Sequence, residues 1–145
     1  MSDRRIYSIL AMAGVTPFVA SAVLPLAGIE SIDPLGPLAG VAASYGLAIV
    51  SFLTGVHWAT QIYDRQQTGF NLLIASNVVF VAVWLTYAIG SIEIALAAQL
   101  LALLVLLGID RWLMNSGVIT PHYYRTRSAA TILASLSLAI LILTL

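Results

Sequence analysis

The sequence predicts an all-α, polytopic membrane bundle of five transmembrane helices, and three observations carry that expectation. Of its 145 residues, 61% are hydrophobic and only 8% charged, with a mean hydropathy of +1.01, a balance foreign to a water-soluble globule. The apolar residues fall into runs long enough for helices of roughly 20 residues to cross a hydrocarbon core. Short polar breaks separate the runs, and five crossings would bring all six basic residues, every one an arginine, to the same side.

The chain reads as one domain over residues 1–145, with helices at about 6–28, 35–63, 70–89, 93–114 and 121–145. Helix one carries Thr16-Pro17 near its middle, where the missing amide and the ring clash should bend it. Its SDRR opening and Ala20-Ser21-Ala22 imitate a signal peptide, but the apolar run continues through Leu24 and Leu26. The segment is therefore expected to stay as a membrane helix. Asp33-Pro34 reads as an N-cap and first-turn proline for helix two.

Helix two is longer than a minimal span and should tilt or begin outside the hydrocarbon. Gly36, Gly40 and Ser44, then Ser51, Gly55 and Ala59, recur every four residues, a spacing that lets another helix approach closely, although small residues are common in membrane helices anyway. Asp64 to Gly69 is a polar break before helix three, and Gly90 to Glu93 a tight turn into helix four, where Glu93 complements the helix's positive end. Asn115 to Gly117 stops helix four. Thr120-Pro121 can cap helix five.

Orientation follows from the arginines. With the N-terminus cytoplasmic and the C-terminus outside, Arg4, Arg5, Arg65, Arg111, Arg125 and Arg127 all lie on the cytoplasmic side, as the positive-inside rule requires. Trp58 and Trp112, with Tyr7, Tyr63, Tyr123 and Tyr124, then read as an interfacial aromatic belt. A bacterial inner (plasma) membrane is the simplest home.

The polar residues of this threading share one layer. Thr54, His57, Gln61 and Asp64 form a column on helix two at offsets of three, four and three. His57 lies on the order of 9 Å inside the cytoplasmic end, at a rise of about 1.5 Å per residue. Asn77 reaches that depth on helix three and Asp110 on helix four, while helix five adds Ser128, Thr131 and Ser135 and its leading loop His122, Arg125 and Arg127. Ionisable groups inside a membrane usually face a bundle interior and mark a site. Two readings of His57 stand: a functional group, or a structural hydrogen-bonder to Asn77 or a carbonyl. For Asp110-Arg111 the simple reading is an interfacial pair or snorkelled side chains.

The absence of cysteine removes disulfides, thiolate metal sites and thiol nucleophiles. No nucleophile elbow, phosphate loop or dinucleotide fingerprint is present, nor a metal-binding histidine and carboxylate spacing within a helix. Arginines and acids balance, so nothing points to nucleic acid. A haem would require His57 and His122 together, the only histidines, one deep and one in a loop.

The stretches YGLAIVSFLTGVHW (Tyr45 to Trp58) and GIDRWL with GVITPHYYRTR (within Gly108 to Arg127), together with AGVTPF of helix one, resemble an uncharacterised family of small membrane proteins, a domain-of-unknown-function family that includes the animal transmembrane protein 69. The resemblance covers nearly the whole chain and is most specific from Tyr45-Gly46 to His57-Trp58. It implies an integral protein of the bacterial plasma membrane or mitochondrial inner membrane and carries no established activity. Where such relatives often place proline on helix three, this chain has Ser76-Asn77-Val78.

The expectation is a binder rather than an enzyme. A cytoplasm-facing pocket of His57, Asn77, Asp110 and Trp58, rimmed by Tyr124, Arg125 and Arg127, would hold a lipid or quinone-like amphiphile; the sequence names no cofactor. The alternative is an accessory or assembly subunit of a larger respiratory-type membrane complex, contacting a membrane-protein partner or a second copy through the small-residue face of Gly40 and Gly55.

Overall fold

A computed structural model describes residues 3–63 and 71–145. Asp64, Arg65 and the rest of the break up to Phe70 lie outside the described residues, so the fourth member of the Thr54 column and the third arginine are not placed. Among the described residues five helices are long and apolar enough to cross a membrane, and the protein is a multi-pass membrane protein of the expected all-α class.

The first crossing is broken. Helix α1 (Asp3–Ala13) and helix α2 (Thr16–Val23) meet at Gly14-Val15, just ahead of Pro17, which has no amide to continue the α ladder. The Phe18 amide turns to the Val15 carbonyl at 3.1 Å instead of to Gly14. The Gly14 carbonyl so released accepts the Tyr45 hydroxyl from the neighbouring helix at 2.8 Å. The break costs little because a neighbour satisfies the freed group.

A 3-10 turn (Pro25–Ala27) ends this crossing at Gly28, whose φ of 82° needs a residue without a Cβ. Residues 29–37 then differ from the expected helix start. They form a small hairpin of β1 (Ser31–Ile32) and β2 (Gly36–Pro37), with Ser31 opposite Pro37 and Ile32 opposite Gly36. Asp33-Pro34 is a cis turn within it and not a helix cap. Helix α3 (Leu38–Tyr63) therefore begins three residues later than the composition suggested, tied to the hairpin by its first amide bonding the Glu30 carbonyl at 2.9 Å.

The remaining helices are capped by short polar side chains, as orphan amides demand. Asn71 accepts from the Leu73 and Ile74 amides to start α4 (Leu72–Ile89). Ser91 accepts from Ile94 to start α5 (Ile92–Asn115), and Thr120 from Tyr123 to start α6 (Pro121–Thr144). Gln61 reaches across the connection after α3 to accept the Leu72 amide at 2.9 Å.

Buried residues trace one stripe on each inner helix. On α3 these are Ala43, Gly46, Val50, Leu53 and His57; on α5 they are Leu96, Gln99, Leu103, Leu106, Asp110 and Leu113. Both stripes step by three and four, the repeat of a single helix face. Helix α3 packs on α2, α4 and α5, and α6 closes the bundle between α5 and α2, with α1 resting on its start. Polar contacts fix the directions: α3 meets α5 with like ends together, at Ala43 with Gln99 and at His57 with Asp110, while the start of α6 meets the ends of both.

Candidate functional site

Six residues of rise separate His57 from the end of α3, five separate Asp110 from the end of α5, and six separate Arg127 from the start of α6. At about 1.5 Å each, all three lie roughly 8 to 9 Å inside the same end of the bundle. The buried stripes turn them toward one another. His57 Nε2 lies 2.7 Å from Asp110 Oδ1, and Arg127 Nε donates to Asp110 Oδ2 at 3.1 Å. Arg127 also donates through its Nη1 to Thr131 Oγ1 at 2.8 Å, one turn along α6. His57 and Asp110 are each 3% exposed, so a carboxylate that would be ruinous alone is matched by a guanidinium and a second hydrogen bond.

Asp110 thus pairs with Arg127 and His57 across helices, and not with its sequence neighbour Arg111, which is exposed. Among the described residues His57 bonds neither Asn77 nor a carbonyl. Asn77 is exposed on α4 and its Nδ2 donates to the Leu73 carbonyl at 2.7 Å. It lines a hollow of about 250 Å³ between α3 and α4 with Ser51, Gly55 and Trp58, away from the His57 cluster. Arg125 is exposed and Tyr124 half-buried, and neither lines a hollow with Asp110.

The cluster borders space on another side. A hollow of about 350 Å³ is lined by Asp110, Thr60, Thr120, Tyr7 and Tyr123, together with Val56, Leu113 and Ile119. Against it lies a larger, almost wholly apolar hollow of about 400 Å³ between α1, α2, α3 and α6, walled by Leu10, Ala11, Phe18, Phe52, Leu53, Ala130 and Ala134 among others. Tyr7, Val56 and Tyr123 line both. The Tyr7 ring packs on Tyr123 and edge-on to His122, at centroid distances of 5.8 and 5.6 Å. Its hydroxyl oxygen is buried with no hydrogen-bond partner among the described residues.

Tyr7 and Tyr123 were expected only as interfacial belt residues. The signal that separates Tyr123 from Tyr124 is spacing: Tyr123, Arg127, Ala130 and Ala134 step by four, three and four, which puts them on one face of α6. No comparable pattern marks Tyr7.

Among the described residues no group of three histidine, aspartate or glutamate side chains is placed to hold a metal ion. His57 turns its Nε2 to Asp110, whereas His122 is exposed beside Tyr7, so the two histidines do not present a pair of axial haem ligands.

The family described as "protein of unknown function" (DUF3429) matches residues 4–143, and the chain belongs to it. No curated protein matches the chain. No solved structure matches it either.

Proposed function

We propose that this member of the family binds a lipid or quinone-like amphiphile, head against the Asp110 hollow and chain in the adjoining apolar one. The observation that carries the reading is the shared wall: three residues line both a polar-ended and an apolar hollow, at a depth where a head group and its tail would part. Each hollow falls in the volume range of small-molecule sites, roughly 300 to 1,000 Å³, which are mostly apolar with a few placed polar groups. The site is redrawn from the sequence expectation. Asp110 stays at its centre, His57 and Arg127 stand behind Asp110, and Tyr7 and Tyr123 replace Asn77, Trp58, Tyr124 and Arg125.

In the same reading the N-terminus and this site face the cytoplasm and the C-terminus lies outside, in a bacterial inner membrane. The support is the bias of arginine toward one end, with Glu30, Asp33 and Glu93 toward the other. The test is extraction of bound amphiphiles from protein purified out of native membranes, compared with an Ala11→Trp variant whose indole would fill the apolar hollow. The wild type should carry a stoichiometric amphiphile that the variant lacks. An equal yield of the same species from both sinks the assignment.

The second reading, an accessory subunit of a membrane complex, draws on a different observation. Among the described residues no heavy atom lies within 4 Å of where a Cβ of Gly55 or Gly40 would stand, and Gly55, Ser51 and Asn77 border an open hollow between α3 and α4. Another helix could approach there. Crosslinking from Gly55→Cys in native membranes distinguishes it by the partner it captures.

A further inference from the structure

We infer that the amphiphile has an uncharged, oxygen-bearing head, of the kind presented by a quinone or a diacylglycerol, and not an anionic phosphate; this rests on the binding reading above. The inference comes from what the hollow presents. Its polar lining is the Asp110 carboxylate and the hydroxyls of Tyr7, Thr60, Thr120 and Tyr123, with no arginine among them. Arg127, which pairs with Asp110, gives its Nε to the carboxylate and its Nη1 to Thr131, and although its Nη2 has no partner among the described residues, the residue does not line the hollow. Arg125 lies exposed away from the hollow, and Arg111 is exposed as well.

An anionic head in the hollow would therefore border a carboxylate and no arginine of its lining. At low dielectric that repulsion is large, and anion sites are built from arginine forks or clustered cations that are missing from this wall. A cationic head would need the Asp110 oxygens, yet one already faces His57 and the other Arg127. Of the cluster's buried atoms without a partner among the described residues, Arg127 Nη2 and His57 Nδ1 belong to side chains outside the lining of the hollow, whereas Tyr7 lines it, and its group is neutral. The Tyr7 hydroxyl is buried without a partner, and buried polar groups demand one. It can donate to a carbonyl or exchange bonds with a hydroxyl.

The experiment uses the full chain in nanodiscs of zwitterionic lipid, with a short-chain alkyl benzoquinone as fluorescence-quenching probe. Dioleoylglycerol and dioleoylphosphatidylglycerol serve as competitors. The expected result is saturable quenching, displaced by the diacylglycerol and not by the phosphatidylglycerol. Tyr7→Phe should weaken the neutral ligand by about tenfold, the size of one hydrogen bond, with little dependence on salt. Quenching that diacylglycerol competes away at lower concentration than the quinone itself assigns the neutral head to a lipid; quinone binding that diacylglycerol leaves untouched assigns it to a quinone. Preferential displacement by the phosphatidylglycerol, or an unchanged affinity in Tyr7→Phe, overturns the inference. Ala11→Trp separates the two levels. If it removes all binding while the anionic lipid is preferred, only the head-group inference fails; if it removes none, the binding site itself is misplaced.

Discussion

The Tyr45 hydroxyl donates to the Gly14 carbonyl at 2.8 Å, joining α3 to the break in the first crossing. Phe18 also packs edge-on against the Tyr45 ring at a centroid distance of 5.2 Å. One side chain thus satisfies the carbonyl that the Pro17 break releases and seats the aromatic ring of the following helix. Tyr45→Phe keeps the ring and removes only the bond. The expected loss is about 1 kcal/mol, read as a lower unfolding midpoint in detergent, whereas an unchanged midpoint would show that the break is satisfied some other way.

The Asp110 cluster makes a prediction about coupling. Arg127→Met leaves a buried carboxylate without its cation and should destabilise the bundle by about 3 to 5 kcal/mol. Replacing both partners, Arg127→Met with Asp110→Leu, should recover most of that loss, since no charge is then left behind. Unfolding of the two single variants and the double variant measures this directly. Additive losses would mean that the pair is not coupled.

Gly46 and Gly55 separate close approach from mere smallness. A Cβ at Gly46 would collide with the Gln99 carboxamide, whose Cδ lies 2.7 Å from that point, and Gln99 is fully buried with its Nε2 donating to the Ala43 carbonyl. Gly46→Ala should cost about 1 to 3 kcal/mol through overpacking. Gly55→Ala meets nothing within 4 Å and should leave the isolated protein as stable as before. Thermal melts of the two variants decide, and equal losses would contradict the packing described.

The proposed threading can be checked cleanly because the chain has no native cysteine. Ser31→Cys, in the hairpin, should react with an impermeant maleimide in intact cells, whereas Ser116→Cys, after α5, should react only once the membrane is opened. The opposite pattern inverts the topology and takes the site to the outer face.

The number of crossings and most of their ends were legible because each apolar run is interrupted by residues whose chemistry stops or starts a helix, such as Ser91, Thr120-Pro121 and the Asn115 to Gly117 stop. Depth was legible too, since rise per residue is fixed; it brought His57, Asp110 and Arg127 to one layer before any contact was visible. Rotation was not. Helix α4 is apolar nearly all round, exposing Val78 and Trp84 as readily as Asn77, and a helix bathed in lipid carries no strong polar face to fix its azimuth. Asn77, expected beside His57, instead faces the hollow between α3 and α4. The hairpin was hidden for another reason: Leu35 to Pro37 continue an apolar run that hydropathy reads as helix, and pairing of Ile32 with Gly36 depends on turn geometry.

The break at Gly14 divides the first crossing into segments with different neighbours. Helix α2 is held by both α3 and α6, whereas α1 rests chiefly on the start of α6 and turns Ile9 and Leu10 outward, 57% and 65% exposed. Leu10 and Ala11 nevertheless wall the apolar hollow, so its outer boundary is a helix that rests chiefly on one neighbour. In the proposed binding reading, the hollow would therefore be reached sideways from the surrounding leaflet, past the eleven residues of α1.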